Sequence, residues 1–199
     1  MVGGVTEMFQ KDLSHIGWDE VKKRQEERLP LVQDWIQLTH MTKGQTVVDI
    51  GPGPGVFTRE YARVIGASGR VFAVEKSPEA THYLGNELSV VENVEILLAD
   101  AEEGLLNIPV PNVIFVTDIL HHTNSPEKVI RGISNLATAD VKILISEFDP
   151  DAPGEIGPPL EHRLSREYIV NMVMEFGLLV EDSAQQQFEH FYVLARKPL

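Results

Sequence analysis

Two textures meet near residue 45 of this chain. Before it, polar and charged residues are interleaved with Trp18, Val21, Leu29, Leu31, Val32, Trp35, Ile36 and Leu38 at helical spacing. Pro30 removes an amide donor and clashes with the preceding turn, so the pattern predicts two helices rather than one. From Thr46 on, short apolar runs alternate with helical stretches. Strands are predicted at 46–50, 71–74, 94–98, 113–117 and 141–147, with a final pair near 179–186 and 191–196. Continuous apolar runs between helices read as a mostly parallel sheet covered on both faces. The last two runs leave no room for a crossover helix, which makes them an antiparallel hairpin.

Helix ends carry their own signals. Ser77, Ser125 and Ser165 stand where a hydroxyl can accept an orphan amide of a first turn, and Pro78 and Pro126 suit the first helical position. A further helix is predicted over 57–65, and Gly66 and Gly177 suit the left-handed residue that closes a helix. With 199 residues and no internal repeat, the expected organisation is one domain: a helical cap over 1–45 and an α/β core over 46–199.

Composition narrows the partners. A net charge of -13, with no dense Lys/Arg run, argues against nucleic acid and against acidic membrane surfaces. The absence of cysteine removes disulfides, thiolate metal sites and cysteine nucleophiles from consideration. Met1 to Phe9 lacks a basic stretch followed by an apolar run, and nothing approaches the roughly 18 apolar residues of a membrane span. The expectation is a cytoplasmic protein, monomer or homodimer.

The candidate chemistry begins at Val47 to Gly55, VVDIGPGPG. A buried strand runs into a turn with glycines at 51, 53 and 55, and a helix follows; such a turn brings backbone amides close to a ligand. Alone it implies only an anionic or nucleotide-like group. About 20 residues further on, Glu75 ends the second strand, where a carboxylate can accept from both ribose hydroxyls. Asp100, just beyond the third strand, can accept from an adenine amino group. Ligands of doubly wound sheets bind beyond the carboxyl ends of the strands, so the three features converge on one crevice.

These residues resemble the class I S-adenosylmethionine-dependent methyltransferases over roughly residues 45 to 197. Asp49 to Gly55 resembles the family's first motif, Glu75 its ribose-binding acid, and Asp100-Ala101 its adenine-contacting pair. The family's Rossmann-like sheet of seven strands, the last antiparallel, agrees with the terminal hairpin. The resemblance implies S-adenosyl-L-methionine as cofactor and a small-molecule methyl acceptor. It places the methionyl portion on amides around Gly51, Gly53 and Gly55, with Asp49 fixing the loop or reaching the cofactor amine. Lys76 then flanks the adenine, the Ala101 amide meets a ring nitrogen, and Asp118 contacts cofactor or substrate. The segment DILHHTNSP from Asp118 is similar to that of methyltransferases of ubiquinone and menaquinone biosynthesis. Without cysteine, arsenic methylation is not expected.

A sulfonium methyl is already activated, so alignment is the main demand; a base helps when the acceptor is an oxygen or an activated carbon. His121 and His122 are the candidate bases; adjacent residues at a helix start point about 100° apart, so one of them faces the crevice, His121 by preference, with His122 as a substrate-contact candidate. No metal site is expected from adjacent histidines. Glu147 to Arg163, rich in proline and glycine, reads as a functional loop over the acceptor, with Glu147, His162, Arg163 and Tyr168 as substrate-contact candidates; a surface ion pair is the alternative for Arg163. Trp18 and Trp35 either line that pocket or serve as core. Two other readings stay open: an NAD(P)-dependent oxidoreductase, disfavoured by G-x-G-x-G in place of G-x-G-x-x-G, and a non-catalytic cofactor-binding scaffold or regulatory protein.

Overall fold

A computed structural model describes residues 16–105 and 107–198; the reading of Met1 to Phe9 and the cap before residue 16 lie outside them. Helices α1 (Trp18–Glu27) and α2 (Leu29–Leu38) precede β1 (Thr46–Ile50), α3 (Val56–Ile65), β2 (Arg70–Glu75), α4 (Pro78–Glu87) and β3 (Val94–Leu98). Then come β4 (Val113–Thr117), α5 (Pro126–Leu136), β5 (Lys142–Phe148), α6 (Arg166–Glu175), β6 (Leu179–Gln185) and β7 (His190–Arg196). The sheet order is β3-β2-β1-β4-β5-β7-β6. The first five strands pair in parallel, while β7 runs antiparallel to both β5 and β6.

The period of two along each strand sends alternate residues to opposite helix layers. Val48, Ile50, Ile114, Val116, Ile143 and Ile145 face α5 and α6 through Ile130, Ile133, Ile169 and Val173. Val47, Val71, Phe115 and Leu144 face α2 and α3 through Val32, Trp35, Tyr61 and Ile65, and α4 covers Ala73 with Leu84 and Leu88. Trp35 is therefore core. It meets Phe57 edge to face at 5.3 Å between centroids, and its indole N–H donates to Gln186 at 3.0 Å.

The break between α1 and α2 falls at Arg28, and Pro30 sits inside the first turn of α2, where its missing amide costs no hydrogen bond. Ser77 and Ser165 cap α4 and α6 by accepting from Ala80 and Tyr168 amides. Ser125 does not cap α5: its hydroxyl turns to Glu127 at 3.0 Å, and its own amide donates to Glu102. The two histidines lie on a 3-10 turn, Leu120–His122, rather than at the start of a longer helix. No helix among the described residues is long and apolar enough to cross a membrane.

Candidate functional site

The turn after β1 leaves the sheet at its carboxyl edge between β1 and β4, where strand order reverses. Gly51 has φ 70°, and a Cβ there would lie 2.2 Å from Ile119 Cδ1, so no side chain fits. Gly53 has φ 54°, and a Cβ there would stand in ordinary contact with Gln25 Nε2 at 3.6 Å and the Trp18 ring at 3.9 Å. Gly55 is the residue before α3, packed under Leu84. Gln25 of α1 braces the turn from above, accepting from the Val56 amide at 3.2 Å and donating to the Pro52 carbonyl at 3.3 Å.

Below the turn, Asp49 is buried on β1 and accepts from the Thr58 hydroxyl at 2.6 Å. Burial pushes its carboxyl up to about 7, against the Thr58 bond and with the help of the Glu75 charge. Glu75 ends β2 with one carboxylate oxygen on the Ser77 amide at 2.9 Å. Burial raises it too, opposed by amides of Ser77, Gly53 and Lys76. Asp100 accepts from the Glu102 amide at 2.9 Å, which turns the chain so that Ala101 lies beside it. A cavity of about 440 Å³ is lined by Trp18, Gly51, Gly53, Glu75, Lys76, Asp100, Ala101 and Asp118, among others.

A second cavity, of about 600 Å³, is lined by α1, the same turn and residues 155–159 of the loop after β5. Gly51, Gly53, Asp118 and His122 line both. Asp118 holds φ 56°, rare for a residue with a side chain, and two contacts fix it there. His190 Nε2 lies 2.7 Å from Oδ1, and Arg28 lies 3.3 Å from Oδ2. Burial would raise this carboxyl, but Arg28 and His190 outweigh burial and hold it well below the carboxylate range.

His121 lines the second cavity with its ring almost wholly buried. Its Nδ1 lies 2.5 Å from Glu147 Oε2, and Glu147 Oε1 accepts the Ile119 and Leu120 amides at 3.0 and 2.6 Å. Burial alone would lower the imidazole, but the charge and hydrogen bond of Glu147 outweigh it, and the result is raised. Glu147 thus lies behind the histidine, not against the cavity.

Arg163 and His162 line neither cavity. The Arg163 guanidinium is buried, and it donates to the carbonyls of Pro158, Asp149 and Ile156 and to Glu189 at 2.7 Å. The surface ion pair weighed for Arg163 is instead a part-buried one, with the guanidinium fully enclosed. Glu189 in turn accepts the Gly154 and Glu155 amides. Between them they shape the loop that walls the cavity with Ile156, Pro158 and Pro159. Tyr168 is exposed and bonded to Glu127.

Gln25, Arg28 and His190 carry no motif in the sequence that marks them as site residues. Each reaches the site from a distant segment, and only an Arg beside a predicted helix break could have hinted at one of them.

This sheet order, with a glycine turn, a ribose-type acid and a third-strand acid on one edge, defines the class I S-adenosylmethionine-dependent methyltransferases. The chain belongs to the family described as a methyltransferase domain, whose model matches residues 41–190. It is 29% identical over 181 residues to a ubiquinone biosynthesis O-methyltransferase of Ralstonia nicotianae, covering 85% of this chain and 70% of that one. It is 25% identical over 160 residues to a ubiquinone/menaquinone biosynthesis C-methyltransferase of Salmonella arizonae. That match covers 75% of this chain but spans only 59% of the relative's length. Among solved structures, a SAM-dependent methyltransferase from Aquifex aeolicus superposes with TM-score 0.76 at 21% identity, over 82% of this chain and 88% of the other. The [4+2]-cyclase SpnF gives 0.72 at 14%, over 85% and 80%. Family membership favours neither the oxidoreductase nor the scaffold reading.

Proposed function

We propose that this chain transfers the methyl group of S-adenosylmethionine to a small-molecule acceptor by in-line displacement. The carrying observation is that two cavities share the lining residues Gly51, Gly53, Asp118 and His122. A donor in one and an acceptor in the other therefore share a short common wall, which is what alignment of a displacement needs. The residues of the smaller cavity fit the cofactor. Gly53 lines the cavity, with Gln25 and Trp18 in van der Waals contact of where a Cβ would stand, and the indole nitrogen of Trp18 is a buried donor with no hydrogen-bond partner.

In this reading Glu75 accepts the ribose hydroxyls, Asp100 the adenine amino group, and the Ala101 amide a ring nitrogen, with Lys76 along the edge of the base. The turn amides and Asp49 hold the amino-acid end, while Asp118 faces the junction. When bound, the cofactor supplies an electrophilic methyl carbon. His122 reaches the acceptor at the junction, whereas Arg163 holds the loop that forms the wall. The likeness to SpnF shows that this fold also occurs under the name of a cyclase, so methyl transfer is read from the paired cavities and the family rather than from the fold. A cytoplasmic location suits the acidic, cysteine-free composition.

Calorimetry with S-adenosylhomocysteine tests the donor half. Wild type is expected to bind, and Gly53→Arg to lose binding by filling the cavity. Equal affinity in the two proteins, or tighter binding of NADH, would overturn the assignment.

A further inference from the structure

Two polar atoms of opposite kind are left over in the wall of the larger cavity. Arg28 Nε is a buried donor with no hydrogen-bond partner, and Asp118 Oδ2 is a buried acceptor with none. They are neighbours: Arg28 Nη2 lies 3.3 Å from Oδ2, an ion pair without hydrogen-bond alignment. Both residues line the cavity. Native structures leave few buried polar atoms unpaired, and two adjacent ones of complementary sense call for a ligand that satisfies both.

The surroundings hold the pair in place. Asp118 Oδ1 is taken by His190 Nε2 at 2.7 Å, and the Arg28 guanidinium lies 5.2 Å from the centroid of the Phe148 ring. Nε and Nη2 form one edge of the planar guanidinium, so the open Nε–H stands beside the atom that faces Oδ2. Burial works against the Asp118 charge, but Arg28 and His190 outweigh it, and Oδ2 is a pure acceptor at neutral pH. A lone ammonium would meet the Arg28 charge next to Asp118, and a lone carboxylate would meet Asp118 next to Arg28. The cavity's other acids, Glu20, Glu27 and Glu155, and its other arginine, Arg24, are exposed. The rest of the wall is largely apolar, with Val21, Phe148, Ile156, Pro158 and Phe188.

Resting on the methyl-transfer reading, we propose that Arg28 and Asp118 form the specificity subsite for the methyl acceptor, an uncharged, largely apolar molecule held by the edge of a primary carboxamide or lactam. The carbonyl oxygen accepts from Arg28 Nε, and the N–H on the same edge donates to Asp118 Oδ2. A planar group with an acceptor and a donor side by side thus meets a protein pair with a donor and an acceptor side by side. Because Asp118 also borders the smaller cavity, the anchored molecule lies against the wall shared with the methyl donor.

Benzamide is the probe, titrated into the full chain with and without S-adenosylhomocysteine and followed by ligand-observed NMR, beside benzoate, benzylamine, benzyl alcohol and N-methylbenzamide. The last turns its only N–H away from the carbonyl edge. Benzamide is expected to bind about tenfold more tightly than each of the others, the worth of one hydrogen bond to a charged group. Asp118→Asn should close the gap to benzoate, and Arg28→Met the gap to benzylamine, whereas a purely structural role would weaken every probe without changing their order. Arg28→Lys keeps the charge but lacks the fork, so it guards against misfolding of Arg28→Met and should lose the lead over N-methylbenzamide. Benzamide that does not bind, that ranks with or below any of the others, as it would if water alone filled the pair, or that keeps every gap in the folded variants overturns the proposal. S-adenosylhomocysteine should leave benzamide bound; displacement would give the pair to the cofactor's amino-acid end and overturn it too. If S-adenosylhomocysteine fails to bind, the donor assignment falls, and the ranking without it still decides the role of Arg28 and Asp118.

Discussion

Asp49 offers a quantitative test of how the site trades stability for binding. A carboxyl that titrates at 3.8 in the open chain and about 7 in the fold opposes folding once ionised. The folded state holds the proton more tightly, so stability is lost as pH rises from about 4 to about 7 and is level above that. The full loss is about 4 kcal/mol at 1.36 per unit, of which about 3 falls between pH 5 and 8. Asp49→Asn removes the ionisation and keeps an oxygen for Thr58, though its NH₂ gains no acceptor and costs about 1–3 kcal/mol at every pH. The stability of the Asp49→Asn variant minus that of wild type should therefore climb by about 3 kcal/mol across that interval, whatever its starting offset. Urea unfolding followed by tryptophan fluorescence at several pH values measures it. A difference that stays flat with pH, or that falls as pH rises, would refute the buried-acid reasoning. If Asp49 meets the cofactor ammonium, the same variant binds S-adenosylhomocysteine more weakly even where it is the more stable protein.

Glu75→Ala should weaken S-adenosylhomocysteine by about 10–100-fold, the worth of one or two charge-assisted hydrogen bonds, with unfolding little changed; calorimetry beside urea melts separates the two. Gly51→Ala adds a Cβ 2.2 Å from Ile119 Cδ1 at φ 70° and should cost about 2–4 kcal/mol. Adding Ile119→Ala should recover only the overlap, leaving the backbone strain, and full recovery would show that the strain is unimportant. Arg163→Ala leaves three carbonyls and Glu189 without their shared donor, and a loss of about 3 kcal/mol is expected. A loss below about 1 kcal/mol would mean that the loop holds its shape without the guanidinium.

Most strand boundaries were legible because a buried parallel strand must be apolar at nearly every position, and Thr46–Ile50 and Val113–Thr117 fall where the pattern places them. The glycine turn was legible for a related reason: the backbone conformations at 51, 53 and 55 disfavour other residues. Contacts that depend on tertiary geometry left no local trace. Ser125 carries a capping signal, but Glu102 from another segment takes its amide and the hydroxyl goes elsewhere. Glu147 and Arg163 looked like substrate contacts because they are polar and sit at the ends of a loop; the fold spends the first on His121 and the second on the loop's own carbonyls. Asp118 was placed by its strand, yet its partners Arg28 and His190 come from opposite ends of the chain.

Helix α1 is tied to the body along its length: Val21 and Gln25 are buried, Asp19 bonds Tyr83, Lys22 pairs with Glu87, Gln25 grips the glycine turn, and Arg28 just past its end pairs with Asp118. With 10 residues it is about 15 Å long. Trp18 at its start stands over the smaller cavity, and Val21 and Arg24 border the larger. One bar thus borders two doorways. A substitution that displaces it alters both at once, so donor and acceptor binding cannot be tuned independently through this helix.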